Sequence, residues 1–257
     1  MKEVLENIGL SMAAYREGYI ALAEDIISNG RQIDISLNAK DAYFVYQLDE
    51  KISLWGCYSG DEVLSVLACY DAPFKCFSQI SQMSPFESNR ARGAAAVEII
   101  DPKNPDLILK LHAEVINFLL ASKNAGKHPA SSKPSAVSIN GFILGDTMSV
   151  YGDEKKYAGA HDQKPGASEN SIVCLKSVNR DETPVEMTPF AHITADLNGY
   201  AEVLNQYSRE RFLCISASCR GFRLSFLTGY SRTAVEMLEG AGDSAIIEAD
   251  AYFTVKL

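Results

Sequence analysis

The sequence predicts an α+β fold with two β-rich halves: an antiparallel meander with flanking helices over residues 1–126, then a β-rich half over 136–257 built around a small barrel. Three observations carry this expectation. Four short extended segments with polar turns between them follow a helical N-terminus. A polar run with two prolines, Lys127 to Ser135, then divides the chain. Beyond it, the stretch from Phe190 to Leu257 reads strand, strand, strand, short helix, strand. The 257 residues are 47% hydrophobic and include 12 Tyr and 11 Phe, more apolar surface than a disordered chain carries.

In order along the chain, Val4, Leu5, Ile8, Met12, Tyr15, Tyr19, Leu22, Ala23 and Ile26 recur at three- and four-residue steps, which predicts one helix ending at Asn29-Gly30. Gln32 to Leu37, Ala42 to Leu48, Ile52 to Tyr58 and Val63 to Tyr70 follow as strands, rich in β-branched and aromatic side chains. Short polar breaks at Asn38–Asp41, Asp49–Lys51 and Ser59–Asp61 make them a meander. A second helix is expected from Asn104, with Asn104 as cap and Pro105 in its first turn. Leu107, Ile108, Leu111, Val115, Phe118 and Leu119 form its stripe, and Asn124-Ala125-Gly126 closes it. Tyr151 to Asn170 is Gly-, Lys- and Asp-rich and is expected to be a long loop.

The C-terminal strands are expected at Phe190–Leu197, Arg211–Cys219 and Phe222–Thr228, with a helix from Ser231 to Leu238. Ala245, Ile247, Ala249, Ala251, Phe253, Val255 and Leu257 then alternate with Glu248, Asp250, Thr254 and Lys256, the pattern of a last strand with one buried face. This order resembles an OB-like small barrel, whose fifth strand has to come from Ala136 to Leu144.

With 33 acidic and 24 basic residues the net charge is −9, which excludes a protein that coats nucleic acid or anionic membrane by bulk electrostatics. The first 22 residues carry Lys2, Glu3, Glu6, Arg16 and Glu17 and lack the apolar run of a signal peptide, and the longest apolar runs are far below the roughly 20 residues of a membrane span. A soluble cytoplasmic protein is therefore expected, with no membrane partner. Cys57, Cys69, Cys76, Cys174, Cys214 and Cys219 lack paired spacings and read as reduced thiols in apolar surroundings.

Candidate chemistry is sparse. His112, His128, His161 and His192 lie more than five residues apart and none stands at ligand spacing from a Cys, so no metal site is expected from the sequence. There is no G-x-S-x-G elbow and no phosphate loop, since Gly126-Lys127 leads into the Pro-rich run. Tyr151 and Lys155 have the spacing of a short-chain dehydrogenase pair, but residues 1–60 hold no Gly-rich dinucleotide turn, so no cofactor is expected. The acidic pairs Asp153-Glu154 and Asp181-Glu182 read as solvated.

One charge feature remains. Arg209, Arg211, Arg220, Arg223 and Arg232 face a single acid, Glu210, within 24 residues, among Phe212, Phe222, Phe226 and Tyr230. Arginine forks suit phosphate or carboxylate and stack on aromatic rings, whereas on a strand edge the same charges merely resist edge pairing. The functional expectation is a non-enzymatic binding or interaction protein, with Arg211, Arg220, Phe222 and Arg223 as ligand-binding residues. Its partner would be anionic, single-stranded nucleic acid being one such ligand. The alternative is a hydrolase whose catalytic residues are dispersed over the interface of the two halves, which requires a pocket holding His192 or His112 beside a Cys, Ser or carboxylate.

Overall fold

In the computed structural model, residues 2–35, 40–125, 134–162, 170–174 and 187–257 are described. His128, the Asp181-Glu182 pair and all of the expected linker except Pro134 and Ser135 fall outside them. The expected N-terminal helix is broken in two. Helix α1 (Lys2–Glu6) and a 3-10 turn at Ser11–Ala14 precede α2 (Arg16–Asn29), and the break falls at Gly9, whose φ of +72° is left-handed.

The meander is present: β1 (Arg31–Asp34), β2 (Asp41–Gln47), β3 (Ile52–Ser59) and β4 (Glu62–Tyr70) form a four-stranded antiparallel sheet in that order. Both of its faces are covered. Ile52, Leu54, Tyr58, Val66 and Ala68 pack on α2 and the 3-10 turn, while Tyr43, Trp55, Cys57 and Leu67 pack with Ile35, Ala91 and Ile116. Double coverage explains why β3 is buried along nearly its whole length instead of alternating.

Strands β5 (Cys76–Phe86), β6 (Asn89–Asp101) and β7 (Asn104–Val115) follow as antiparallel hairpins. The expected helix from Asn104 is thus corrected: only its end, α3 (Phe118–Ala125), is helical. Asn104 pairs with Asp101 across a tight turn, and Pro105 opens a strand instead of a helix. The Leu-rich segment Leu107–Leu111 satisfies both periods, and pairing with β6 selects the strand, burying Leu109, Leu111, Ala113 and Val115 on one face.

The second half opens with β8 (Ser135–Val137), β9 (Ile139–Ile143) and β10 (Ser149–Tyr151). The expected loop beyond Tyr151 contains α4 (Glu154–Ala160), capped by the Asp153 side chain, which accepts from the Lys156 N–H at 2.8 Å. Strand β11 (Ser171–Cys174) leads to β12 (Phe190–Leu204), β13 (Arg211–Cys219), β14 (Phe222–Gly229), α5 (Arg232–Glu239) and β15 (Ile246–Val255).

Five of these strands close on themselves. β12 pairs β13, β13 pairs β14, β14 pairs β9 in parallel, β9 pairs β15, and β15 returns to β12. This is the OB-like order with its fifth strand, β9, drawn from the Ala136–Leu144 segment ahead of the other four. The barrel is filled by Ile193, Leu213, Ile215, Leu224, Phe226 and Phe253, and the last strand points Ile247, Ala249, Ala251, Phe253 and Val255 inward as its alternation predicts. Gly141 is required here: a Cβ on it would lie 2.6 Å from Phe226 Cδ1.

The sheet continues from the barrel through β7 on β15, then β6, β5 and β8. A buried polar group fastens that junction. Glu114 on β7, wholly buried, holds Arg92 of β6 at 2.6 Å (Nε–Oε1) and 3.0 Å (Nη2–Oε2) and accepts from the Tyr252 hydroxyl of β15. On the barrel's outer surface Phe142, Phe212, Leu227 and Tyr252 pack under the N-terminal helices and sheet. Among the described residues no helix is long and apolar enough to cross a membrane.

Candidate functional site

The N-terminal sheet covers the barrel's outer face incompletely, and a cleft of about 670 Å³ remains beside it. Its floor is made by outward residues of β12 and β13: Gly199 and Ala201 on one strand stand opposite Ser216 and Cys214 on the other, with Val203 beyond them. Small side chains keep that floor low. At Gly199 the strand bulges, with φ at +143°, and no atom lies within 4 Å of where a Cβ would stand. One wall is Tyr70 at the end of β4 with Pro73 and Phe74 from the connection after it. Over the Phe74 ring lies the Arg223 guanidinium of β14, 4.8 Å from the centroid. Lys51 supplies a second cation and Glu202 an acid, the latter held by Arg211 at 3.0 Å.

Of the four expected ligand-binding residues, the structure brings Arg223 alone into this cleft. Phe222 is corrected: it is 9% exposed and faces the barrel interior, because its cross-strand partner Cys219 is an inward position of β13. Arg220 sits with Gly221 at a hairpin turn where both φ angles are positive, and its Nε lies 3.3 Å from the Asn170 carbonyl. Arg211 starts β13, seven residues before the Ser218 that pairs with Arg223, so the two are about 23 Å apart at ~3.3 Å per residue. It lies 5.8 Å over Tyr230 as well as on Glu202. Arg209 bonds Gln206 at 3.0 Å and Arg232 bonds Glu236 at 2.8 Å. The five arginines therefore form no common patch.

The histidines distribute differently from expectation. His112 lies on β7, with Nδ1 unpartnered among the described residues, and burial lowers its pKa. His192, by contrast, stands between two carboxylates of the neighbouring strand, Asp250 and Glu248. Neither histidine lines the cleft. Among the described residues no set of three or more His, Cys, Asp or Glu side chains is arranged to hold a metal ion. The cleft does hold one thiol, Cys214, and burial raises its pKa above the ordinary value, so it is a poor nucleophile at neutral pH.

Sequence reasoning missed Phe74, Lys51, Gly199 and Ser216. The cleft joins segments more than a hundred residues apart, and Gly199 lies beyond the strand expected over Phe190–Leu197, so no local signal marked it. No family model, curated protein or solved structure matches the chain.

Proposed function

We propose that this protein is a non-catalytic binding module that takes an extended anionic ligand in the cleft over the outer faces of β12 and β13, beside Arg223 of β14. The observation that supports the reading is the Arg223–Phe74 stack at the wall of a cleft with a low, small-residue floor. Small five-stranded barrels bind oligonucleotides on this face, with aromatic rings taking bases and cations taking phosphates. The absence of histidine from the cleft lining and the raised pKa of Cys214 favour binding over the hydrolase alternative.

Fluorescence anisotropy of a labelled single-stranded oligonucleotide at low salt tests the reading. Binding is expected to be weak because of the overall charge. With Lys51 and Arg223 as the two cations, log K should fall against log salt with a slope of about −1.4, at roughly −0.7 per phosphate contact. Phe74→Ala should cost about 1–3 kcal/mol of binding as a lost stacking platform. Arg223→Ala should lower both affinity and slope, and Arg220→Ala should change neither. No binding by the unmodified protein, or equal binding by Arg223→Ala, would sink the proposal.

A further inference from the structure

On the outside of the barrel, apart from the cleft, one carboxylate gathers groups from three other segments. The His192 ring of β12 is gripped by β15: Nδ1 lies 2.8 Å from Asp250 Oδ1 and Nε2 3.0 Å from Glu248 Oε1. An ionised carboxylate only accepts, so both contacts are hydrogen bonds when each ring nitrogen carries a proton. The second oxygen of Glu248 receives His161 Nε2 at 3.1 Å and the Tyr151 hydroxyl at 3.0 Å. His161 Nδ1 lies 2.9 Å from the Tyr157 carbonyl oxygen, another group that only accepts. Both ring nitrogens of His161 therefore face groups that only accept.

His161 ends α4 and Tyr151 ends β10, so Glu248 is a point at which residues 149–161 are fastened to the barrel. The α4 end adds ring packing, with Tyr157 stacked on His161 at 4.3 Å and Tyr151 edge-on to both. Among the described residues, the titratable groups facing the cluster are Glu248 and Asp250 from β15, His192 from β12, Tyr151 from β10, and Tyr157 and His161 from α4 and its end. Val173 of β11, opposite His192, brings none.

We propose that this cluster is a proton-operated latch. With both rings protonated, two cations and two carboxylates balance and the end of α4 is held against β15. With both neutral, each ring loses a donor, and Glu248 and Asp250 are left as like charges two residues apart on one strand face. Burial works against the charge on His192, but its hydrogen bonds to Asp250 and Glu248 and their negative charge outweigh that and hold its pKa above the ordinary histidine value. The contribution of His192 is therefore complete below the ordinary histidine pKa and is lost as pH rises through its raised folded-state value. The latch stands independently of the cleft.

Hydrogen exchange of the full chain reads the latch directly. After correction for intrinsic rates, protection of amides 154–161 relative to those of α5 should fall several-fold between acidic and mildly alkaline pH. The double variant His161→Gln/His192→Gln should show low protection of 154–161 at both ends of the range. Glu248→Gln, which keeps the side-chain shape, should do the same if the double variant fails to fold. A pH-independent protection ratio in the unmodified protein, or a pH dependence that survives in the variant measured, overturns the proposal.

Discussion

Glu114 is the residue on which the junction between β7 and the barrel turns. Its carboxylate is wholly buried and receives both the Arg92 fork and the Tyr252 hydroxyl. Removing one member of such a pair leaves the other charge without compensation, so Glu114→Ala is expected to cost about 3–5 kcal/mol in urea unfolding. Loss of less than 1 kcal/mol would mean that water already reaches Arg92. At the same scale, Phe253→Ala should cost about 3–5 kcal/mol because the ring fills the barrel beside Phe226, whereas Lys256→Ala, over the Trp55 face at 4.8 Å, should cost about 0.5–1 kcal/mol. Equal melting temperatures would contradict the facing of β15. The inward set of β15 was legible because alternation fixes which side chains share a face. Its other face was not: Tyr252 and Thr254 are buried, because what covers an outer barrel face comes from distant segments. Glu114 was unreadable for the same reason, since Arg92 and Tyr252 meet it only through strand register.

Elements were legible where a single period and its punctuation agreed. Strands β2 to β4 and β13 to β15 match the expected segments closely, β1 covers Arg31–Asp34 with the end of its expected segment outside the described residues, and Ser231 caps α5 by accepting from the Ala234 N–H at 3.1 Å. Where two periods fit the same residues, long-range pairing decided. In the segment from Leu107, a helix would place Ile108 and Leu111 on one buried stripe, whereas the strand buries Leu111 and turns Ile108 outward at 37% exposure. Leu111→Ala should therefore cost about 2–5 kcal/mol and Ile108→Ala about 0.5 kcal/mol in urea unfolding. Comparable losses at both positions would restore the helix. The candidate site shows the same division: Arg223 was readable as an exposed cation on a strand, but Phe222 beside it was grouped with it by sequence proximity, and strand alternation sends neighbours to opposite faces.

For the whole molecule, the division expected between residues 126 and 136 meets a sheet that runs across it. β7 pairs with β15, β8 with β5, and the Asn7 side chain bonds the Ile143 carbonyl and the Gly229 N–H. The N-terminal cluster also takes Phe142, Phe212, Leu227 and Tyr252 from the barrel, so neither part completes its apolar packing alone. Burial shared in this way couples the two parts energetically, and a single cooperative transition is the expected outcome. The one tryptophan, Trp55, reports the four-stranded sheet, while far-ultraviolet circular dichroism reports strands throughout the chain. The two probes should give the same urea midpoint. A tryptophan transition displaced from the dichroism transition would mean that the meander with its helices unfolds as a unit of its own, as the chain's polar, proline-containing run at 127–135 suggests. Glu114→Ala sharpens the test, because it lies at the seam: in a coupled molecule it lowers both midpoints together, whereas in a divided one the midpoints separate.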